Sequence, residues 1–298
     1  MANYKHEMKL LIPFLFLVTN LLSAQTKGVV KDSITGKPIP FVNIWVENEN
    51  SGATSEEDGT YIINTSSKSK ILLFSALGFE KKKVKISEAS VVKLNPIEYQ
   101  LDEVVIAKRF ESKLREIGET DNTICQAFDN GPRIDVKHFP YQASYNKTRY
   151  IKQVSIYTDS RIENATVRIH FYGVDSNGFP GEELLHKDMI VAVKKGTIIN
   201  VFDITDYNLK IPKTGLFVGF EKLIIEKNKK EKTITDVITN KTTIQTTYYP
   251  FVLYNRVERA TLYTFSGGKW NKQMNPNGGD SKDKITINEP AINLILSN

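Results

Sequence analysis

From residue 27 onward the chain is cut into runs of five to eight residues rich in Val, Ile, Thr, Tyr and Phe, each closed by a cluster of Gly, Asn, Asp or Ser. That punctuation constrains the fold most, because it leaves strands joined by turns, and strands hide their apolar sides by packing sheet on sheet. Over the first part the expected strands are 27–32, 41–47, 59–64, 70–76, 82–86, 91–94 and 103–107. Seven short strands in about 80 residues make one small sandwich. With 298 residues there is room for a second domain of ordinary size. The 40% hydrophobic and 25% charged residues are those of a globular chain, not a disordered or collagen-like one. A single thiol, Cys125, excludes an intrachain disulfide and a Cys-rich metal cluster.

Residues 1–24 differ in kind. Lys5 and Lys9 precede the apolar run 10–18, and Ser23-Ala24-Gln25 puts a small residue before a cut, which is the three-part pattern of a secretory signal. The apolar stretch of about 13 residues, interrupted by Pro13, falls short of the roughly 20 that span a bilayer. An exported chain is therefore expected, in the periplasm or at the outer-membrane or cell surface, with no transmembrane segment left after cleavage. No cysteine lies near the cut to carry a lipid.

Removing Lys5, Glu7 and Lys9 from 40 basic and 34 acidic residues leaves 38 and 33, so the net charge falls from +6 to +5. Much of it sits in two clusters, Lys81-Lys82-Lys83 with Lys85, and Lys227, Lys229, Lys230 and Lys232. Lysines at solvated turns and strand edges block edge-to-edge pairing, the ordinary reading of such clusters. An anionic envelope polymer is the electrostatic partner weighed beside it; nucleic acid is not expected as a partner.

The order Gly28-Val29-Val30-Lys31-Asp32, Thr35-Gly36-Lys37-Pro38-Ile39-Pro40 and Val42-Asn43-Ile44 continues with Thr54, Asp58-Gly59-Thr60-Tyr61-Ile62-Ile63, Leu72-Leu73-Phe74-Ser75 and Leu77-Gly78-Phe79-Glu80. Gly36 and Pro38 shape a turn between strands, and Asp58-Gly59 is a tight-turn pair feeding an alternating strand. Over residues 27–95 these pieces resemble the carboxypeptidase-regulatory-like domain, a transthyretin-like sandwich. The resemblance implies a structural or binding module without catalytic residues. It also implies a likeness to modules at the start of TonB-dependent outer-membrane receptors of Bacteroidota. There, a segment similar to Leu101-Asp102-Glu103-Val104-Val105-Ile106 serves as, or adjoins, the TonB-contacting box. With 191 residues after Ala107, too few for the barrel and plug of such a receptor, a closing strand or linker is expected at 101–106 instead.

Between 108 and 145, Phe110, Leu114 and Ile117 recur at helical spacing and Gly118 can stop the turn, so a linker carrying a short helix is expected. Asn130-Gly131-Pro132 marks a turn before the strand-like 134–139. From 146 to 298 a second β-rich domain is expected. Its clearest strand, 166–172, puts Val167, Ile169 and Phe171 on one side and Arg168, His170 and Tyr172 on the other. Further strands are expected at 150–158, 188–193, 197–204, 215–225, 232–238, 242–248, 251–254 and 260–265, a number that suits a jelly-roll-like sandwich. The turn at 178–185 loosely resembles turns of exported Bacteroidota β-sandwich modules, with no function carried across.

Chemistry is sparse. His6, His138, His170 and His186 occur in neither His-x-x-Glu nor His-Glu-x-x-His, and scattered surface histidines are expected. The nucleophile elbow Gly-x-Ser-x-Gly and the phosphate-cradling glycine loop are absent. Cys125, with no histidine following it until His138, reads as a buried inert thiol. Asp175-Ser176-Asn177-Gly178, with Glu182 and Glu183 behind, offers oxygen ligands and a turning glycine as calcium loops do. Gly173 and Leu184 occupy the first and twelfth ligand positions of that pattern, so a hairpin turn is expected. Carboxylates are too dispersed to single out a glycosidase pair. Tyr248, Tyr249, Phe251, Tyr254, Tyr263, Phe265 and Trp270 crowd the last third. Core filling explains most such rings, but rings on a sheet face also stack on sugars. Trp270, in the turn-rich 267–271, is the residue singled out as a ligand contact.

The expectation is an all-β protein divided into a signal peptide at 1–24, a carboxypeptidase-regulatory-like, transthyretin-like seven-stranded sandwich at 25–107, a linker with a short helix at 108–145 and a jelly-roll-like sandwich at 146–298. No catalytic residue, cofactor or metal site is assigned. The expected role is a non-enzymatic binding or assembly accessory for an envelope protein or polysaccharide; the alternative is a hydrolase of envelope polymers with its site in the second domain.

Overall fold

The computed structural model describes residues 24–65, 70–97, 112–118, 124–125, 131–259, 261–273 and 285–298. The signal segment up to residue 23, the box-like segment 101–106 and the strand expected at 103–107 lie outside these residues. Among the described residues the protein is all-β, built of several sheets linked by turns and short 3-10 segments. Among the described residues no helix is long and apolar enough to cross a membrane.

Seven strands make the first unit. One sheet runs, in spatial order, Thr60–Thr65, Ala24–Asp32 and Val91–Leu94; the other runs Gly52–Thr54, Asn43–Val46, Ile71–Ser75 and Lys82–Lys85. Alternate residues turn inward, so Tyr61, Ile63, Val92 and Leu94 from one sheet meet Ile44, Val46, Leu72 and Phe74 from the other in a single core. The strand Gly52–Thr54 was not expected, since three small or polar residues carry no apolar period. Gly59, at φ +76°, makes the turn into Thr60–Thr65. A Cβ there would lie 2.7 Å from the carbonyl oxygen of Val30. The lysine-rich strand Lys82–Lys85 is a sheet edge, where lysines discourage pairing with another chain.

The second unit faces two larger sheets across one core. In the seven-stranded sheet the order is Pro180–Glu183, Ala165–Val174, Leu216–Lys222, Ile134–Phe139, Leu262–Ser266 and Lys269–Gln273, with Met189–Val193 also paired to Ala165–Val174. The five-stranded sheet runs Gly196–Asp203, Tyr150–Ser160, Ile292–Ser297 and Leu114–Ile117, with Phe251–Val252 added against Tyr150–Ser160. Val167, Ile169, Phe171, Val218 and Phe220 on one sheet pack on Val154, Ile156, Ile292, Leu294 and Leu296 on the other. A three-stranded sheet (Ile285–Pro290, Tyr254–Arg259, Ile124–Cys125) and a two-stranded hairpin (Lys229–Thr235, Thr242–Tyr248) complete the described structure.

The helix expected in the linker is corrected at Leu114–Ile117, a strand antiparallel to Ile292–Ser297. Three apolar positions are a weak helical signal, and Leu114 is 58% exposed while only Ile117 reaches the core. The edge of a strand some 180 residues away satisfies the backbone instead, a partner no local pattern reveals. Ile134–Phe139, placed in the linker, lies in the middle of the seven-stranded sheet, between Leu216–Lys222 and Leu262–Ser266. The sheets of the second unit thus begin before residue 146.

The two units touch. The backbone N–H of Ile224 donates to Thr54 Oγ1 at 3.1 Å, and that of Glu226 to Glu56 Oε1 at 2.8 Å.

Candidate functional site

Strand register assembles the site. Residues directly opposite in antiparallel strands share a face. Successive pairings link Trp270 to Phe265, Phe265 to Ile134, Ile134 to Glu221 and Glu221 to Arg168, one row across the seven-stranded sheet. His170 and Tyr172 follow Arg168 at alternate positions on the same face, the side opposite the core residues Val167, Ile169 and Phe171. Arg168 and His170 are nevertheless buried, because the first unit covers this face. From that unit come Asn43 and Trp45, which alternate with the core residues Ile44 and Val46, and the turn from Ser75 to Phe79. Between the walls lies a cleft of about 470 Å³, within the size range of small-molecule sites. Both tryptophans of the chain line it.

The aromatic wall is continuous. Ring centroids are 5.2 Å apart for Phe265 and Trp270, 5.3 Å for Tyr172 and Trp270, and 5.5 Å for Trp45 and Phe265, all edge to face, an arrangement aromatic quadrupoles favour. Trp270 is half-buried in the strand that follows the Gly267-Gly268 turn, so it belongs to a sheet face and not to a loop tip. The indole N–H of Trp45 is buried with no hydrogen-bond partner among the described residues.

Beneath the rings runs a network of charges. Arg168 Nη1 donates to Glu221 Oε2 at 3.1 Å, and Nη2 donates to Asp188 Oδ2 at 3.3 Å and to the carbonyl of Phe41 in the first unit. His170 bonds Glu183 Oε2 through Nδ1 at 2.8 Å and Glu221 Oε2 through Nε2 at 2.9 Å. Glu183 Oε1 accepts the N–H of Phe171 at 2.6 Å, and Asn43 adds a side-chain hydrogen bond to Glu221. Burial opposes a charge on His170, but the two carboxylates outweigh it and push its pKa up to about 9. Burial would likewise raise Glu221, yet Arg168 and His170 hold it below the usual carboxylate range. Tyr172, stacked on the imidazole at 5.2 Å, is driven well above the ordinary phenol value by burial and then by Glu183. Gly219 makes room for the network. A Cβ there would sit 3.1 Å from His170 Cβ and 3.1 Å from Ile134 Cγ2.

This arrangement is spent on internal pairing. An imidazolium that donates both N–H groups has no lone pair with which to take a proton, and a carboxylate held ionised does not donate one. What the cleft offers a visitor is ring surface from Trp270, Phe265 and Tyr172, with Lys81 and Glu182 exposed at its rim. Tyr172 and Trp270 carry a polar tip on an apolar body, and Phe265 is wholly apolar, a surface suited to stacking.

The remaining expectations fall as follows. His138 and His186 are exposed, whereas His170, expected on the surface with them, is buried between two glutamates. Nothing in the alternation of the strand 166–172 marked this face as covered, since polar residues opposite an apolar face ordinarily meet solvent. The Asp175 segment is a hairpin turn, with Asp175 Oδ1 accepting the N–H groups of Asn177 and Phe179, both at 2.8 Å. Among the described residues no group of three or more His, Cys, Asp or Glu could hold a metal ion. Cys125 pairs its backbone with Tyr254, and its side chain lies outside the described set. Of the aromatic group, Tyr249, Tyr254 and Tyr263 are buried, while Phe265 and Trp270 reach the cleft. A larger cavity, about 820 Å³, opens beside Arg115 and His138. Its buried Lys137 and its Arg259 both close on Glu289, at 3.3 and 3.0 Å.

Residues 26–106 match the CarboxypepD_reg-like domain family, so the N-terminal part of the chain carries such a domain. A protein described as TonB-dependent receptor P3 from Formosa agariphila is 36% identical over 110 residues, which are 35% of this chain. The match spans 11% of that receptor's length. No solved structure matches the chain.

Proposed function

We propose that this chain, with its CarboxypepD_reg-like domain as one wall of the cleft, is an exported envelope protein that binds and does not catalyse. It holds a protein or polysaccharide partner, as a binding or assembly accessory, in the cleft between the two units, with Trp270 as a contact. The observation that carries this reading is the row of rings laid over a charge network whose members neutralise one another. Similarity to a TonB-dependent receptor supports an envelope location, and the signal-like residues 1–24 support export to the periplasm or the outer-membrane surface. The seven strands around one core support a transthyretin-like reading of the first unit, and two large facing sheets support a jelly-roll-like reading of the second.

The second reading is the hydrolase, favoured by the meeting of Glu182, Glu183 and Asp188 in one cleft. Glycoside hydrolysis needs one carboxyl kept protonated as the acid and another free to act as base or nucleophile. Glu183 is committed to His170 and the backbone of Phe171, and Asp188 faces Arg168. The binding role therefore fits better. Immobilised wild-type chain and the Trp270→Ala variant, offered solubilised envelope proteins and glycans separately, distinguish the two. A partner retained by the wild type, lost by the variant and recovered unaltered supports binding; release of shortened glycan by the wild type supports the hydrolase.

A further inference from the structure

A second groove lies where the hairpin Lys229–Thr235 with Thr242–Tyr248 meets the body of the second unit. Its volume is about 570 Å³. Alternation sorts the charges of the first hairpin strand. Lys229 and Glu231 share one face, and Lys229 closes on Glu226 at 2.8 Å and on Glu231 at 3.2 Å. Lys230 and Lys232 share the other, and register sets Thr247 and Gln245 directly opposite them. This second face lines the groove, and Arg161, just past the strand Tyr150–Ser160, lines it from the body. The side chains of Arg161, Lys230 and Lys232 form no ion pair or hydrogen bond among the described residues, and all three are exposed. Glu231 also borders the groove, but its carboxylate is held by Lys229. Phe251 supplies a half-buried ring, braced by Tyr249 at 4.9 Å.

We infer that this groove is a binding site for an acidic polysaccharide chain, separate from the interdomain cleft. Three unpaired cations face one space and call for a repeating anion. Thr247 and Gln245 present hydroxyl and amide groups that match sugar hydroxyls, and the Phe251 ring offers the apolar platform on which a pyranose face stacks. An anionic lipid headgroup would also satisfy the charges, but exposed apolar residues of the hairpin that could meet acyl chains, Ile234, Val237 and Ile238, lie outside the groove's lining, where Thr247 and Gln245 stand beside the cations instead.

The test titrates the purified full chain at low salt with polygalacturonate, dextran sulfate, neutral dextran and phosphatidylglycerol vesicles. Binding of at least one acidic polysaccharide and not of neutral dextran is expected. The triple variant Arg161→Gln, Lys230→Gln, Lys232→Gln should weaken that binding at least tenfold and flatten its salt dependence. Phe251→Leu, which keeps every charge, should weaken it severalfold, and together with the triple variant this places the binding in this groove and not in the cleft. Circular dichroism checks that each variant is folded. The inference is overturned if neither acidic polysaccharide binds, if the triple variant binds as well as the wild type, or if only the vesicles bind.

Discussion

The guanidinium of Arg168 donates a hydrogen bond to the main-chain carbonyl of Phe41, across the boundary between the two units. Phe41 sits at φ +55°, a region bulky residues avoid, so the fold holds its backbone in place there. The same guanidinium binds Glu221 and Asp188, which ties the interdomain contact to the charge network beneath the cleft.

Arg168→Met should therefore be costly. It leaves Glu221, 3% exposed, facing one less cation, and breaking a buried pair by removing one partner typically costs about 3–5 kcal/mol. Urea unfolding of the full chain measures this. A loss under about 1 kcal/mol would mean the network is not the buried latch described.

The network also sets a pH dependence. His170 has a folded pKa of about 9, above the ordinary 6.5. A raised pKa means that its stabilisation is fully present below about pH 6.5 and is lost as pH rises through 9, a difference of roughly 3 kcal/mol at most. The urea midpoint of the wild type should fall between pH 6 and pH 9.5, and that of His170→Gln should fall distinctly less. Parallel pH profiles would refute the charged, doubly bonded imidazole.

Trp270→Ala removes ring surface from the cleft while sparing the charges below. Because Trp270 is half-buried, the stability loss should be about 2 kcal/mol, under the 3–5 typical of fully buried tryptophan, and retention of the partner should fall far more steeply than stability. Thermal unfolding beside the pull-down measures both. Partner retention that tracks stability alone would reduce Trp270 to a packing residue.

The first unit encloses its own core, separate from that of the second. Residues 25–107 are accordingly expected to fold alone, with cooperative unfolding. Their only tryptophan, Trp45, loses its contact with Phe265, so its emission should be red-shifted from that of the full chain. Non-cooperative unfolding of this fragment would show that the core needs the second unit.

Most strands were legible because their alternation survives in the fold. Thr60–Thr65 buries every second residue, and 166–172 splits its apolar and polar sides as the pattern implied. What escaped was long-range. Leu114–Ile117 owes its strand to Ile292–Ser297, and Gly52–Thr54 owes its own to Asn43–Val46, neither of which leaves a local trace. Trp270 stood out by its surroundings in sequence, but the reason it matters does not: its link to Phe265, Ile134, Glu221 and Arg168 is a matter of register across strands from four parts of the chain. Trp45 and the burial of His170 were invisible for the same reason, since both depend on one unit covering the other.

The central claim is that the cleft between the two units binds a partner without transforming it. Both tryptophans line that cleft, so intrinsic emission reports on it directly. Titrating the full chain with fractionated envelope proteins and glycans should shift or quench tryptophan emission saturably for the partner, the response should vanish in Trp270→Ala, and the partner should be recovered at its original size. A partner that binds with unchanged emission, or a glycan returned in shortened form, would contradict the account.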